Sequence, residues 1–62
     1  MHHNTIKQLR ESRGLTQAQL AEQLGVSYQA VSTWENGQKM PRMGVIEKLS
    51  AFFEVPKSQI MG

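Results

Sequence analysis

Two residues, Gly25 and Val26, separate two stretches that both read as helix, and this link constrains the chain more than any other feature. The upstream stretch opens at Thr16-Gln17-Ala18-Gln19, a capping box in which Thr16 and Gln19 each satisfy a backbone N–H of the other. Leu20, Ala21 and Leu24 follow at helical spacing, and Gly25 is the residue type that ends a helix in the left-handed conformation. The downstream stretch opens at Ser27, an N-cap type, places Ala30, Val31 and Trp34 at helical spacing, and closes at the turn pair Asn36-Gly37. A link this short does not let two helices lie antiparallel side by side. It suits two helices that cross steeply.

The remaining chain is punctuated in the same way. A first helix is predicted from an N-cap near Asn4 to Gly14, with Ile6, Leu9, Arg10 and Arg13 on one face. A polar loop, Gln38-Lys39-Met40, leads to Pro41, expected in the first turn of a fourth helix. Met43, Ile46, Leu49, Ser50 and Phe53 form the inner stripe of that helix, and Gly44 inside it costs about 1 kcal/mol relative to Ala. Val55-Pro56 ends it, and residues 57–61 make a last short turn that folds Ile60 back onto the core. No segment alternates as a strand does, so the expected fold is all-α: a single domain over residues 1–62, with a core over 6–60 and four to five short helices. A chain of 62 residues buries only about 60% of its unfolded surface. It has no Cys, which excludes disulfides and thiolate metal sites and fits a reducing compartment. No run approaches the ~20 apolar residues that cross a bilayer, and no charged start followed by an apolar run marks a signal peptide.

The net charge is only +2, so the position of the charges must carry any functional argument. On a wheel of about 100° per residue, Ala30, Val31 and Trp34 share the inner side of the third helix with Ser27. Tyr28, Gln29, Ser32, Thr33 and Asn36 share the outer side. That outer face has neither charge nor aliphatic side chain, whereas an ordinary solvated helix face carries Lys and Glu. Gln pairs bidentately with adenine N6 and N7, and Ser or Thr serve several bases, so the face suits the edges of base pairs. Lys39 and Arg42 follow this helix, where they would grip phosphates; as an isolated pair they would read as loop charges. Gln17 and Ala18 stand at the start of the second helix, whose free N–H groups attract anions.

Arg10 lies in the stripe of Ile6 and Leu9, and Glu35 lies beside Trp34, one turn after Val31. Both point at least partly inward, and half-buried charges are costly unless paired, so they are expected to pair with each other and tie helix 1 to helix 3. Phe52 falls beside the fourth helix's stripe. It reads either as part of an exposed self-association patch with Val55, Pro56 and Met61, or as a ring half-covered by the C-terminal turn. His2 and His3 are the only histidines; with a free Met1 amine, His3 could capture Cu(II) or Ni(II) in square-planar geometry, but an end without such a role is the simpler reading, and no metal is assigned. There is no Asp and no Gly-rich phosphate loop, and Glu11, Glu22, Glu47 and Glu54 read as solvated helix charges. No catalysis, cofactor or small-molecule ligand is therefore expected.

The run Leu15-Thr16-Gln17-Ala18-Gln19-Leu20-Ala21, then Gly25-Val26-Ser27, then Val31-Ser32-Thr33-Trp34-Glu35-Asn36-Gly37, with Pro41 after a basic loop, closely resembles the phage-repressor and Cro-like helix-turn-helix family, also called Xre-like. The resemblance runs from about Ile6 to Ile60. It implies a lambda-repressor-like fold with a helix-turn-helix over about 17–36, whose recognition helix, 27–35, enters the major groove of double-stranded DNA. It implies base contacts from Tyr28, Gln29, Ser32 and Thr33, backbone contacts from Gln17, Ser27, Asn36, Lys39 and Arg42, and an internal Arg10–Glu35 salt bridge. It further implies a transcriptional regulator, in first place a repressor, bacterial or phage-encoded and cytoplasmic, that pairs as a homodimer on an inverted-repeat operator. Gly44, and Pro56 in place of a hydroxyl cap, depart from the family's pattern. The competing reading is a protein-interaction helix-turn-helix of antitoxin or anti-repressor type, whose outer face binds protein.

Overall fold

The computed structural model describes residues 5–61. Five helices follow one another: α1 Thr5–Ser12, α2 Gln17–Leu24, α3 Tyr28–Glu35, α4 Met43–Phe53 and α5 Lys57–Met61, with no strand among the described residues. The predicted cap at Asn4 and the pair His2 and His3 lie outside the described residues.

Local chemistry sets the helix ends. Thr16 is extended, its side chain accepts from the Gln19 N–H, and Gln19 accepts from the Thr16 N–H at 2.8 Å, so the capping box is complete. Ser27 accepts from the Ala30 N–H at 3.1 Å. Caps of this kind are worth about 1 kcal/mol each. Between them Gly25 adopts φ 72°, and the Val26 N–H reaches back to the Ala21 carbonyl at 3.0 Å. A side chain at that angle costs roughly 1–2 kcal/mol, so glycine lets the chain turn within two residues. Lys48 of α4 donates Nζ to the Leu24 carbonyl, placing a cation at the negative end of α2.

The core draws on all five helices: Ile6 from α1, Leu20, Ala21 and Leu24 from α2, Val31 from α3, Ile46, Leu49 and Phe53 from α4, and Ile60 from α5. Leu20, Val31 and Leu49 are completely enclosed. A domain of this length is stable by about 3–9 kcal/mol. Cutting one such Leu to Ala costs about 2–5 kcal/mol, so a single core change comes close to unfolding it.

Three expectations change, and the alternative left open at Phe52 is decided. Met43 is 51% exposed, because it is the first residue of α4 and a helical Cβ tilts toward the N-terminus, away from the packed turns that follow. Pro41 is not in the first turn: Arg42 is the N-cap, and Pro41, buried, precedes it. Pro41 and the buried Ile46 hold the N′ and N4 positions of a hydrophobic staple. Gly44 is in the first turn of α4 rather than its interior, with open space where a Cβ would stand. Phe52 is half-buried: it meets Phe53 edge-on at 4.9 Å, and the Arg13 guanidinium lies 5.5 Å from both ring centres. The ring is half-covered as the second reading had it, but the cover shown is Arg13, from the end of the first helical stretch, where the C-terminal turn was expected.

Candidate nucleic-acid interface

The inner side of α3 is held by Val31, with Ala30 and Trp34 half-buried beside it. That packing turns Tyr28, 54% exposed, and Gln29, also exposed, outward in the first turn. Ser32 and Thr33 are half-buried on the flank. Thr33 donates its hydroxyl to the Ala30 carbonyl at 2.8 Å, so toward an outside group it is left only as an acceptor. Ser27 spends one lone pair on the α3 cap and keeps its hydroxyl hydrogen.

The far end of α3 is closed by Gly37 at φ 77°, which lets the Gln38 N–H reach the Thr33 carbonyl at 3.0 Å. Asn36 is exposed at this end. The chain then returns along α3, so that the polar Gln29, Thr33, Lys39 and Arg42 line one open cleft of about 470 Å³ together with the apolar Ala30, Trp34, Met40, Pro41 and Val45. The cleft's lining contains two cations and no acid. Arg42 is also the N-cap of α4, and its side chain makes no cap hydrogen bond. A positive side chain at the positive end of a helix is electrostatically unfavourable until an anion arrives.

Arg10 and Glu35 form a fork. Arg10 Nε donates to Glu35 Oε2 at 2.7 Å and Nη2 donates to Oε1 at 3.0 Å, with the Glu35 side chain only 3% exposed. The hydrogen bond to Glu35 raises the guanidinium pKa, against the opposing effect of burial. Two contacts were not foreseen from the sequence. Gln17 Nε2 donates to Glu35 Oε1 at 2.9 Å, and Arg10 Nη1 donates to the Leu15 carbonyl at 2.7 Å. The signal available was capacity: a carboxylate has about four acceptor positions, and one arginine does not fill them.

Among the described residues, no three His, Cys, Asp or Glu side chains gather as a metal set, and no helix is long and apolar enough to cross a membrane.

Two helices joined through a left-handed glycine, the second presenting an uncharged polar face beside a basic loop, define a helix-turn-helix DNA-binding fold of the phage-repressor type. A helix-turn-helix family model matches residues 6–60, and the chain belongs to that family. It is 45% identical over 56 residues to the HTH-type transcriptional activator BcrR of Enterococcus faecalis, covering 90% of this chain and 28% of that protein. It is 31% identical over 61 residues to the cryptic phage CTXphi transcriptional repressor RstR of Vibrio cholerae, covering 98% of this chain and 55% of the repressor. A Bacillus subtilis (strain 168) protein, the uncharacterized HTH-type transcriptional regulator RghRB, is 39% identical over 57 residues, covering 90% of this chain and 41% of its own length. The chain thus spans between 28% and 55% of the length of these relatives.

Proposed function

We propose that this chain is the DNA-reading part of a transcriptional regulator, laying α3 in the major groove of a double-stranded operator. The observation that carries the reading is the outer face of α3, where exposed, uncharged hydrogen-bonding side chains stand beside a cleft with two cations and no acid. Gln29 and Tyr28 meet base edges, with Ser32 beside them and Thr33 reduced to an acceptor. Ser27, Asn36, Lys39, Arg42 and Gln17 meet the sugar-phosphate backbone and fix the register. The protein pairs on an inverted repeat and acts in the cytoplasm. The relatives include both a named activator and a named repressor, so the family alone does not set the sign of regulation. Repression by occupying the operator needs no surface beyond the one described, and we favour it for that reason.

The test is a binding titration against duplex DNA over a series of salt concentrations. Contacts from Lys39, Arg42 and their neighbours release counterions, so log K falls linearly with log salt, by about 0.9 per phosphate neutralised. Binding that barely responds to salt, or that requires a protein in place of the duplex, overturns the reading in favour of a protein-interaction module.

A further inference from the structure

We infer that Glu35 is a positioning residue for DNA binding, acting through Gln17; this rests on the reading above that Gln17 meets the DNA backbone. Glu35 is the last residue of α3 and Gln17 the first of α2, and the Gln17 amide donates to the Glu35 carboxylate across 18 positions of sequence. The same carboxylate holds Arg10 by two hydrogen bonds, and Arg10 in turn donates to the carbonyl of Leu15, two residues before Gln17. The entrance to α2 is thereby tied at two points to the end of α3. Asn36 and the loop bearing Lys39 continue from that same end. The backbone contacts proposed before and after the recognition helix are therefore set on one rigid frame.

A pair that only joined α1 to α3 would need no donor from α2. The Gln17 bond is the added feature, and its consequence is preorganisation. A glutamine free in solvent samples several rotamers and loses that freedom when it binds. Gln17 is half-buried with Nε2 already held, so one amide hydrogen is committed to Glu35 and the other is left at a set position for a phosphate oxygen. The bond to a carboxylate that is 3% exposed lies in low-dielectric surroundings, which strengthens it.

The test replaces both charges at once, with Arg10→Met and Glu35→Leu together, because removing a buried pair as a unit leaves no unpaired charge. Denaturant midpoints and affinity for a mixed-sequence DNA duplex are measured for the parent and the double variant, each with and without Gln17→Ala. The expected result is near-parent stability and affinity lower by about two- to tenfold, the lower part of the range coupled neighbours show, with Gln17→Ala losing less in the double variant than in the parent. A folded double variant that binds like the parent, with an undiminished Gln17→Ala loss, overturns the inference and leaves the DNA reading intact. A parent that binds no duplex overturns the DNA reading and the inference with it. One further measurement needs no variant to fold: ¹⁵N relaxation of the Gln17 side-chain amide in the free parent. An amide as ordered as the α2 backbone supports the clamp, and a freely mobile one overturns it.

Discussion

Gln29 and Lys39 line the same cleft, yet their chemistry separates them. The Gln29 amide offers a donor and an acceptor, which fit adenine N7 and N6, whereas an ammonium on the loop after α3 offers charge without pattern. Gln29→Ala is expected to cost about 1–3 kcal/mol on the best operator and to flatten preference at one base pair, while Lys39→Ala weakens all sequences alike and lowers the salt slope by about one. A binding series over the four bases at each operator position, for the parent and both variants, checks this; an equal loss at every sequence moves Gln29 to the backbone set. Arg10→Met leaves the Glu35 carboxylate buried without its main partner and is expected to destabilise the domain by about 3–5 kcal/mol in urea unfolding. A parent-like midpoint would show that the pair does not support the fold. The pair's pH behaviour follows from its sign. The folded Arg10 pKa is raised, so its contribution is fully present below the ordinary arginine range and is lost only as pH climbs through the raised value. Neutral and mildly acidic or basic buffers therefore leave the arginine's side of the pair unchanged.

At the scale of elements, α4 departs most from what its own length would favour. It begins with Arg42, a cation at the positive end with no side-chain cap, and ends at Glu54, whose φ of 58° is left-handed. Arg42→Ser supplies a cap and removes the like-charge conflict, so it is expected to raise stability by about 1 kcal/mol while weakening binding to every duplex. Affinity that stays at the parent's value or rises with stability would argue that Arg42 has no anion to meet. Glu54→Gly relieves the left-handed strain and Gly44→Ala reduces the freedom of the unfolded chain, each worth about 0.4–1 kcal/mol in denaturant midpoint. Neither touches the outer face of α3, so DNA affinity should not change. The capping box of α2, the Ser27 cap and the turn at Gly25 were legible in the sequence, because a cap is decided by residues three or four apart. Glu54 was not, because the sequence carries no glycine at the point where Val55 must turn back and donate to Ser50.

At the scale of the whole molecule, the question is how two copies meet. Phe52 is half-buried beneath Arg13, so the exposed apolar surface near α5 is reduced mainly to Met61. That is far below the roughly 1,000 Å² a stable interface needs, and the chain of 62 residues is expected to sediment as a monomer or weak dimer at micromolar concentration. On DNA, half-sites are expected about 34 Å apart, one helical turn, and bodies whose Cα extents are 23 × 23 × 22 Å then touch along an edge rather than across a face. A tight dimer in sedimentation velocity, or full affinity for a single half-site, would contradict this. Arg13→Ala uncovers Phe52; self-association that rises in this variant would show that the guanidinium masks a contact surface.

What this sequence determined by itself is what short-range chemistry decides. Helix starts follow from Thr16 and Ser27, turns from Gly25 and Gly37, the buried stripe from Ile46, Leu49 and Phe53, and the uncharged outer face from the wheel of α3. The pairing of Arg10 with Glu35 was also legible, since two charges in apolar stripes of one small core have few other places to go. Only the tertiary structure decided which groups remain available at the surface. It turned Gln17 toward Glu35, laid Arg13 over the two phenylalanines and set Lys48 against the end of α2. These contacts join residues far apart in the chain, and their distances exist only once the helices have packed.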